Sequence, residues 1–282
     1  MGDVFGSSSS GETPFLNRII NDCYREICAR TDWWFLEKTA VIRTTPIVYE
    51  DDDVGVTNGS ADITTSIALD STYEDGWATS GLNVYRIDTI SSYTVTLDSE
   101  WLEATDDPDT VTFWNDIFTL PTDCKELISV HSRRHPNTKP LDIVDLFDIE
   151  QHGSDISDMG SEWASKCALL KDAVRYTTTA AIRIWPPPTV EVEYAVRYLM
   201  VPAEMSQDSD VPVIPVEHHK ALVDLSILRM LKVDQRDMDL VAMWADSARD
   251  SLSALMSEQR RKKGTAQRVG RRYSTQRGPV DR

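Results

Sequence analysis

From Met238 the apolar residues fall at Met238, Val241, Ala245, Ala248, Leu252 and Leu255, in alternating steps of three and four. That spacing puts all six on one narrow stripe of a helix. Residues 215–263 are therefore predicted to be a helical run whose seam packs on one neighbour at a time, inside a bundle or between identical subunits. Asp237 or Asp239 suits the start of the last helix. Arg260, Arg261, Lys262 and Lys263 sit where the helix dipole favours cations, and Gly264 is read as its stop.

The residues after the seam constrain the chain as strongly. Residues 260–282 hold nine Lys or Arg and one Asp, so a chain of net charge −17 has a body, residues 1–259, of net −25. A segment so basic, without apolar periodicity and broken by Gly264, Gly270 and Gly278-Pro279, is expected to order on an acidic partner rather than fold alone. It is read as a docking arm.

At 282 residues with 41% hydrophobic content the chain can hold one large or two modest cores. No apolar run approaches the roughly 20 residues that span a bilayer, and no signal-peptide core follows the N-terminus. The expectation is a soluble protein without membrane contact. Cys23, Cys28, Cys124 and Cys167 lack CxxC spacing and read as reduced thiols. A zinc site from Cys124, His131 and His135 matches no common ligand spacing and is set aside.

In chain order, residues 1–12 form a Ser/Gly lead expected to be mobile. A helix follows from Thr13-Pro14 with a broad stripe at Phe15/Leu16, Ile19/Ile20, Cys23/Tyr24 and Ile27/Cys28. The aromatic run Trp33-Trp34-Phe35-Leu36 lacks interleaved basic residues, so it reads as a core anchor or subunit contact, not a platform for bases.

Residues 46–115 change character. A turn signal at Val56-Thr57-Asn58-Gly59-Ser60 and alternating runs at Tyr85-Arg86-Ile87, Tyr93–Leu97 and Val111–Trp114 predict an inserted small all-β barrel or sandwich. This module carries fifteen Asp or Glu against the single Arg86, a charge that repels nucleic acid. Its clusters Glu50–Asp53 and Asp106–Asp109 offer oxygen ligands for calcium without the spacing of a calcium loop, so they read as solvated surface.

From Asp116 the chain is read as mixed: a strand at Leu127–Val130, a short helix at Leu141–Glu150, an ambiguous Trp163–Leu170, then Ala181–Trp185 and Val190–Val196 as two strands of one sheet. The fold class is α+β. It has a helical core with a small sheet (13–45 and 116–259), the inserted acidic β-module (46–115) and the basic C-terminal arm (260–282).

No Walker loop, GxGxxG, GxSxG or HExxH occurs. His218 and His219, adjacent on a helix, point about 100° apart and make no chelating pair. The reading is a non-enzyme with no catalytic, cofactor or metal residues.

The order of these elements resembles the head-to-tail adaptor (head completion, connector) proteins of tailed bacteriophages, particularly those of short-tailed phages. The resemblance rests on Trp33-Trp34-Phe35-Leu36 closing the first helix and on Phe118-Thr119-Leu120-Pro121-Thr122-Asp123 entering a strand. It rests also on Ile182-Arg183-Ile184-Trp185-Pro186, on Val190-Glu191-Val192-Glu193-Tyr194, and on Val211–His219 leading into Ala221-Leu222-Val223.

The resemblance implies a structural virion protein of the neck, assembled from the host cytoplasm into a homo-oligomeric ring of about twelve copies. The ring would dock under the portal protein and prolong the channel through which DNA is ejected, without specific DNA binding. It would also carry tail nozzle or fibre proteins. Portal docking falls to Arg260, Arg261, Lys262, Lys263, Arg268, Arg271, Arg272, Tyr273 and Arg277, and subunit packing to the Met238–Leu255 seam. The alternatives are a nucleic-acid-binding module using the tail, with Tyr273 stacking, or a tail-tube or fibre-attachment protein.

Overall fold

The computed structural model describes residues 12–50, 54–80, 83–104, 110–134, 139–152, 163–170, 180–207, 209–233 and 238–274. The chain has both helices and strands and divides into two compact units, one of residues 1–37 with 200–282, the other of residues 38–199. Strands that the sequence reading grouped with the helices thus lie in the same unit as the acidic β segment. Residues 1–11 of the N-terminal lead, Asp51–Asp53, the 105–109 cluster, His135 and Arg277 lie outside the described residues.

The first unit is helical. Helix α1, Glu12–Ala29, begins one residue before the expected Thr13 cap, and its stripe is buried at Ile19, Cys23, Tyr24, Ile27 and Cys28. Burial pushes the Cys28 thiol up to about 12 and raises Cys23 as well, so both are inert packing groups. The Tyr24 hydroxyl accepts the Val213 N–H at 3.0 Å, and Asn21 clasps both backbone groups of Met205 at 2.7 and 2.9 Å. After α1 the aromatic run forms a 3-10 turn, Trp34–Leu36, with Trp33 wholly buried and donating from Nε1 to the Ile27 carbonyl at 2.7 Å. Trp33 stacks on Phe35 while Trp34 meets both rings edge-on, an interlock of the kind expected of a core anchor.

At the C-terminal side a 3-10 turn, Val216–His218, leads into α3, His219–Val233. Helix α4 then runs Met238–Ser274 as one 37-residue helix. Gly264 does not end it. A glycine inside a helix costs only about 1 kcal/mol relative to alanine. The Arg, Lys, Ala and Gln residues on either side are good helix formers, so the backbone passes through both Gly264 and Gly270.

The second unit contains three sheets. β1 (Glu37–Arg43), β13 (Glu193–Met200) and β9 (Cys124–Ser132) form a three-stranded sheet in the order β1-β13-β9. β10 (Asp142–Ile143), β11 (Lys166–Leu170), β12 (Ala181–Trp185) and β8 (Ile117–Thr119) form a second, with β10 and β11 parallel and the other pairs antiparallel. Two expectations are corrected here. Residues 181–185 and 193–200 belong to different sheets, because Pro186-Pro187-Pro188 removes three ladder donors and ends the pairing. The expected helix at 141–150 is the short strand β10 followed by α2, Leu146–His152.

The third sheet has six strands, all paired antiparallel: β2 (Val48–Glu50), β7 (Val111–Trp114), β4 (Trp77–Thr79), β5 (Val84–Ser91), β6 (Thr94–Leu97) and β3 (Asp62–Thr64). The period-two pattern puts Tyr85 and Ile87 on the core side of β5 and Val95 and Leu97 on that of β6. They join Ile63, Trp101, Val111 and Phe113 in one hydrophobic cluster, where Tyr85 stacks on Trp101 at 4.6 Å. Gly59 takes φ +82° in the Thr57–Ser60 turn that the sequence marked. Gly76 is required by space: a Cβ there would lie 2.5 Å from the Trp114 carbonyl oxygen and 2.8 Å from that of Tyr73.

Asp123, which ends the Phe118–Asp123 motif, ties this unit's strands together. Its carboxylate accepts from Lys38 at 2.8 Å and from the Tyr198 hydroxyl at 3.0 Å. Burial works to raise the Asp123 pKa, but these hydrogen bonds outweigh it and hold the carboxyl below its ordinary value.

Candidate docking surface on the C-terminal helix

The basic run of α4 starts beside a fixed contact within the first unit. Gln259, 5% exposed, donates from Nε2 to the Asp32 carbonyl at 2.6 Å and accepts the Trp34 N–H on Oε1 at 3.1 Å. One side-chain amide thus answers two backbone groups of the aromatic turn. One residue earlier, Glu258 Oε2 lies 2.6 Å from His218 Nε2, while Oε1 receives Lys262 at 3.3 Å and Arg261 at 3.5 Å. The hydrogen bond with His218 is the largest of the influences that hold the Glu258 carboxyl below its ordinary value, with Lys262 adding to it. Lys262 Nζ stands 4.6 Å over the Trp34 ring, whose edge meets His218. His219 turns away to the Ile214 carbonyl at 2.8 Å, as adjacent helix positions require.

Asp224 fastens α3 to α4. Its carboxylate receives Lys220 at 2.5 Å and the Ser247 hydroxyl at 2.9 Å, with its side chain 2% exposed. Burial raises its pKa, yet the hydrogen bonds from Lys220, Ser247 and Ser251 prevail and lower it.

Ala248, Leu252 and Leu255 are buried inside this unit, so the C-terminal half of the seam already has a partner in its own chain. Met238 is 78% exposed and Val241 and Ala245 are half-buried, with exposed Leu240 and Met243 alongside. Arg260, Arg261, Lys262 and Lys263 are exposed on α4. Arg268, Arg271, Arg272 and Tyr273 continue the same helical backbone. Sequence reasoning missed Gln259, Glu258 and Asp224. The apolar pattern gives no sign of them, because each acts through a partner distant in the chain.

Among the described residues, Glu217, His218 and Glu258 are the three metal-capable side chains that come together, with ligand atoms within 4.8 Å of one another. Arg261 and Lys262 on Glu258 oppose a further cation there. The arrangement presents fixed positive charge on a long helix rather than reactive groups.

A profile of the SU10 adaptor protein family matches residues 94–272, well over half of the chain, and the chain belongs to that family. The match makes it a phage adaptor, a structural protein of the virion neck. It spans part of the six-stranded sheet, the other two sheets except β1, and both C-terminal helices. No curated protein sequence matches the chain. No helix among the described residues is long and apolar enough to cross a membrane.

Proposed function

We propose that this adaptor forms a closed ring between portal and tail, docked on the portal through α4 and its basic residues. About twelve copies would extend the DNA channel. The observation that carries the reading is α4 itself: one 37-residue helix whose root is clamped by Gln259 and Glu258 and whose far half carries Arg260–Lys263, Arg268, Arg271 and Arg272. A long cationic helix on a chain whose other residues are acidic suits an acidic recess on a partner, where charge-assisted hydrogen bonds form and encounter is steered. The acidic body also favours a channel wall to which DNA does not adhere. Residues 46–115 are proposed as an inserted module that faces tail nozzle or fibre proteins, and exposed Met238, Leu240 and Met243 as part of the contact between neighbouring copies.

The test is native mass measurement of the full chain and of a chain ending at Lys263, each alone and with the portal protein. A monomer alone and a ring only with portal, lost on truncation, is the expected result. Unchanged portal binding by the truncated chain refutes the docking role. A salt-steep affinity of the full chain for duplex DNA exceeding that for portal would favour the nucleic-acid reading instead.

A further inference from the structure

The four-stranded sheet ends at β8, and no strand among the described residues covers its outer edge. The ladder shows which groups face outward. Ile184 N–H donates to the Asp116 carbonyl and Leu120 N–H to the Ala180 carbonyl, each at 2.8 Å, and Phe118 is paired with Ile182. In an antiparallel pair these positions alternate, so Asp116, Phe118 and Leu120 bond to β12 while Ile117 and Thr119 turn their backbone groups the other way. The Asn115 side chain already plays the part of a neighbouring strand, accepting the Ile117 N–H on Oδ1 at 2.9 Å. The Ile117 carbonyl and both backbone groups of Thr119 remain along that edge.

A cleft of about 320 Å³ is lined by this edge. It is also lined by Thr45, whose buried hydroxyl has no hydrogen-bond partner, and by Glu74 and Asp75. The volume is at the low end of ligand pockets, with room for a few extended residues.

We propose that this edge accepts an extended, cationic peptide segment of a partner protein as an added strand. Its backbone pairs with Ile117 and Thr119, and its Lys or Arg faces the acidic rim. Charge decides between occupants. The charged side chains that line the cleft are two carboxylates, Glu74 and Asp75, and one guanidinium, Arg43, which is already paired with Glu191 and Glu193, while Asp75 is paired with Arg86. In sequence, residues 46–115, which include Glu74, Asp75 and Arg86, hold fifteen acidic groups against one Arg. Backbone pairing gives affinity and the charge selects the strand. The inference is independent of α4 and of portal docking.

The experiment uses the full chain and an eight-residue alternating threonine–valine peptide bearing two lysines. The controls are a two-glutamate version and a proline-interrupted version, all followed by fluorescence anisotropy and amide hydrogen exchange. The lysine peptide is expected to saturate at least about tenfold more tightly than either control and to slow exchange of the Thr119 amide. Thr119→Pro removes the outward N–H, at an edge position where proline is tolerated. It should abolish binding with an unchanged unfolding midpoint. If that variant does not fold, Thr119 protection in the native chain decides.

Absence of saturation, equal binding of the glutamate peptide, or an unprotected Thr119 overturns the proposal. So does peptide-free self-association that Thr119→Pro abolishes, which would assign the edge to a second copy.

Discussion

Arg183 donates from Nε to Asp116 Oδ2 at 2.6 Å, with the Asp116 side chain wholly buried and that of Arg183 only 12% exposed. The other carboxylate oxygen accepts from Trp77 Nε1 at 2.9 Å, and the Arg183 and Arg86 guanidiniums each lie 5.8 Å from the Trp77 ring centre. Trp77 belongs to the six-stranded sheet and Arg183 to the four-stranded one, so one buried carboxylate holds the two together.

Removing one member of that pair leaves a buried charge without its partner. Asp116→Ala is expected to lower stability by about 3–5 kcal/mol, read as the shift of the urea unfolding midpoint. Arg183→Leu should cost a similar amount, and the double variant less than the sum of the two. Independent, additive effects would contradict the role given to the pair.

Gly76→Ala should destabilise the six-stranded sheet by about 1–3 kcal/mol, because the atoms a Cβ would meet are backbone carbonyls that cannot swing aside. Faster amide exchange at β4 and β7 in this variant is the check. Gly59→Ala should cost less, since its site is open and only the positive φ opposes a side chain.

Gln259→Ala leaves the Trp34 N–H and the Asp32 carbonyl without their side-chain partner. A loss of about 1–3 kcal/mol is expected, with Gln259→Glu only partly restoring it because a carboxylate cannot donate to the carbonyl. Thermal unfolding of the three chains tests this.

The Asp224 carboxyl has a folded-state pKa below its ordinary value of 3.8. A depressed acid contributes stability that is present above the unfolded value and lost as pH falls through the folded one. The contact between α3 and α4 should therefore weaken below about pH 4. Asp224→Asn should remove that part of the pH dependence and lower stability at pH 7, as helical circular dichroism during thermal melts at pH 7 and pH 3 would show.

Helix periodicity was legible at α1 and α4, and strand alternation at β5, β6 and β7, because one buried face imposes its period on the residues that fill it. The family resemblance and the basic run at Arg260–Lys263 were equally plain from residue order and charge. Helix α4 outran its predicted end because Gly264 is a weak stop next to good helix formers, which is a matter of degree that a single residue type does not state.

What residue order by itself determined is the set of amphipathic elements, the acidic body and the cationic end. The tertiary structure alone decided which strands share a sheet, which half of the Met238–Leu255 seam is used within the chain, and the pairing of Asp116 with Arg183 and of Gln259 with the Asp32–Trp34 turn. Local pattern depends on neighbours a few positions away. The buried contact of Gln259 with the Asp32–Trp34 turn joins partners more than two hundred residues apart, and only the folded chain brings them together.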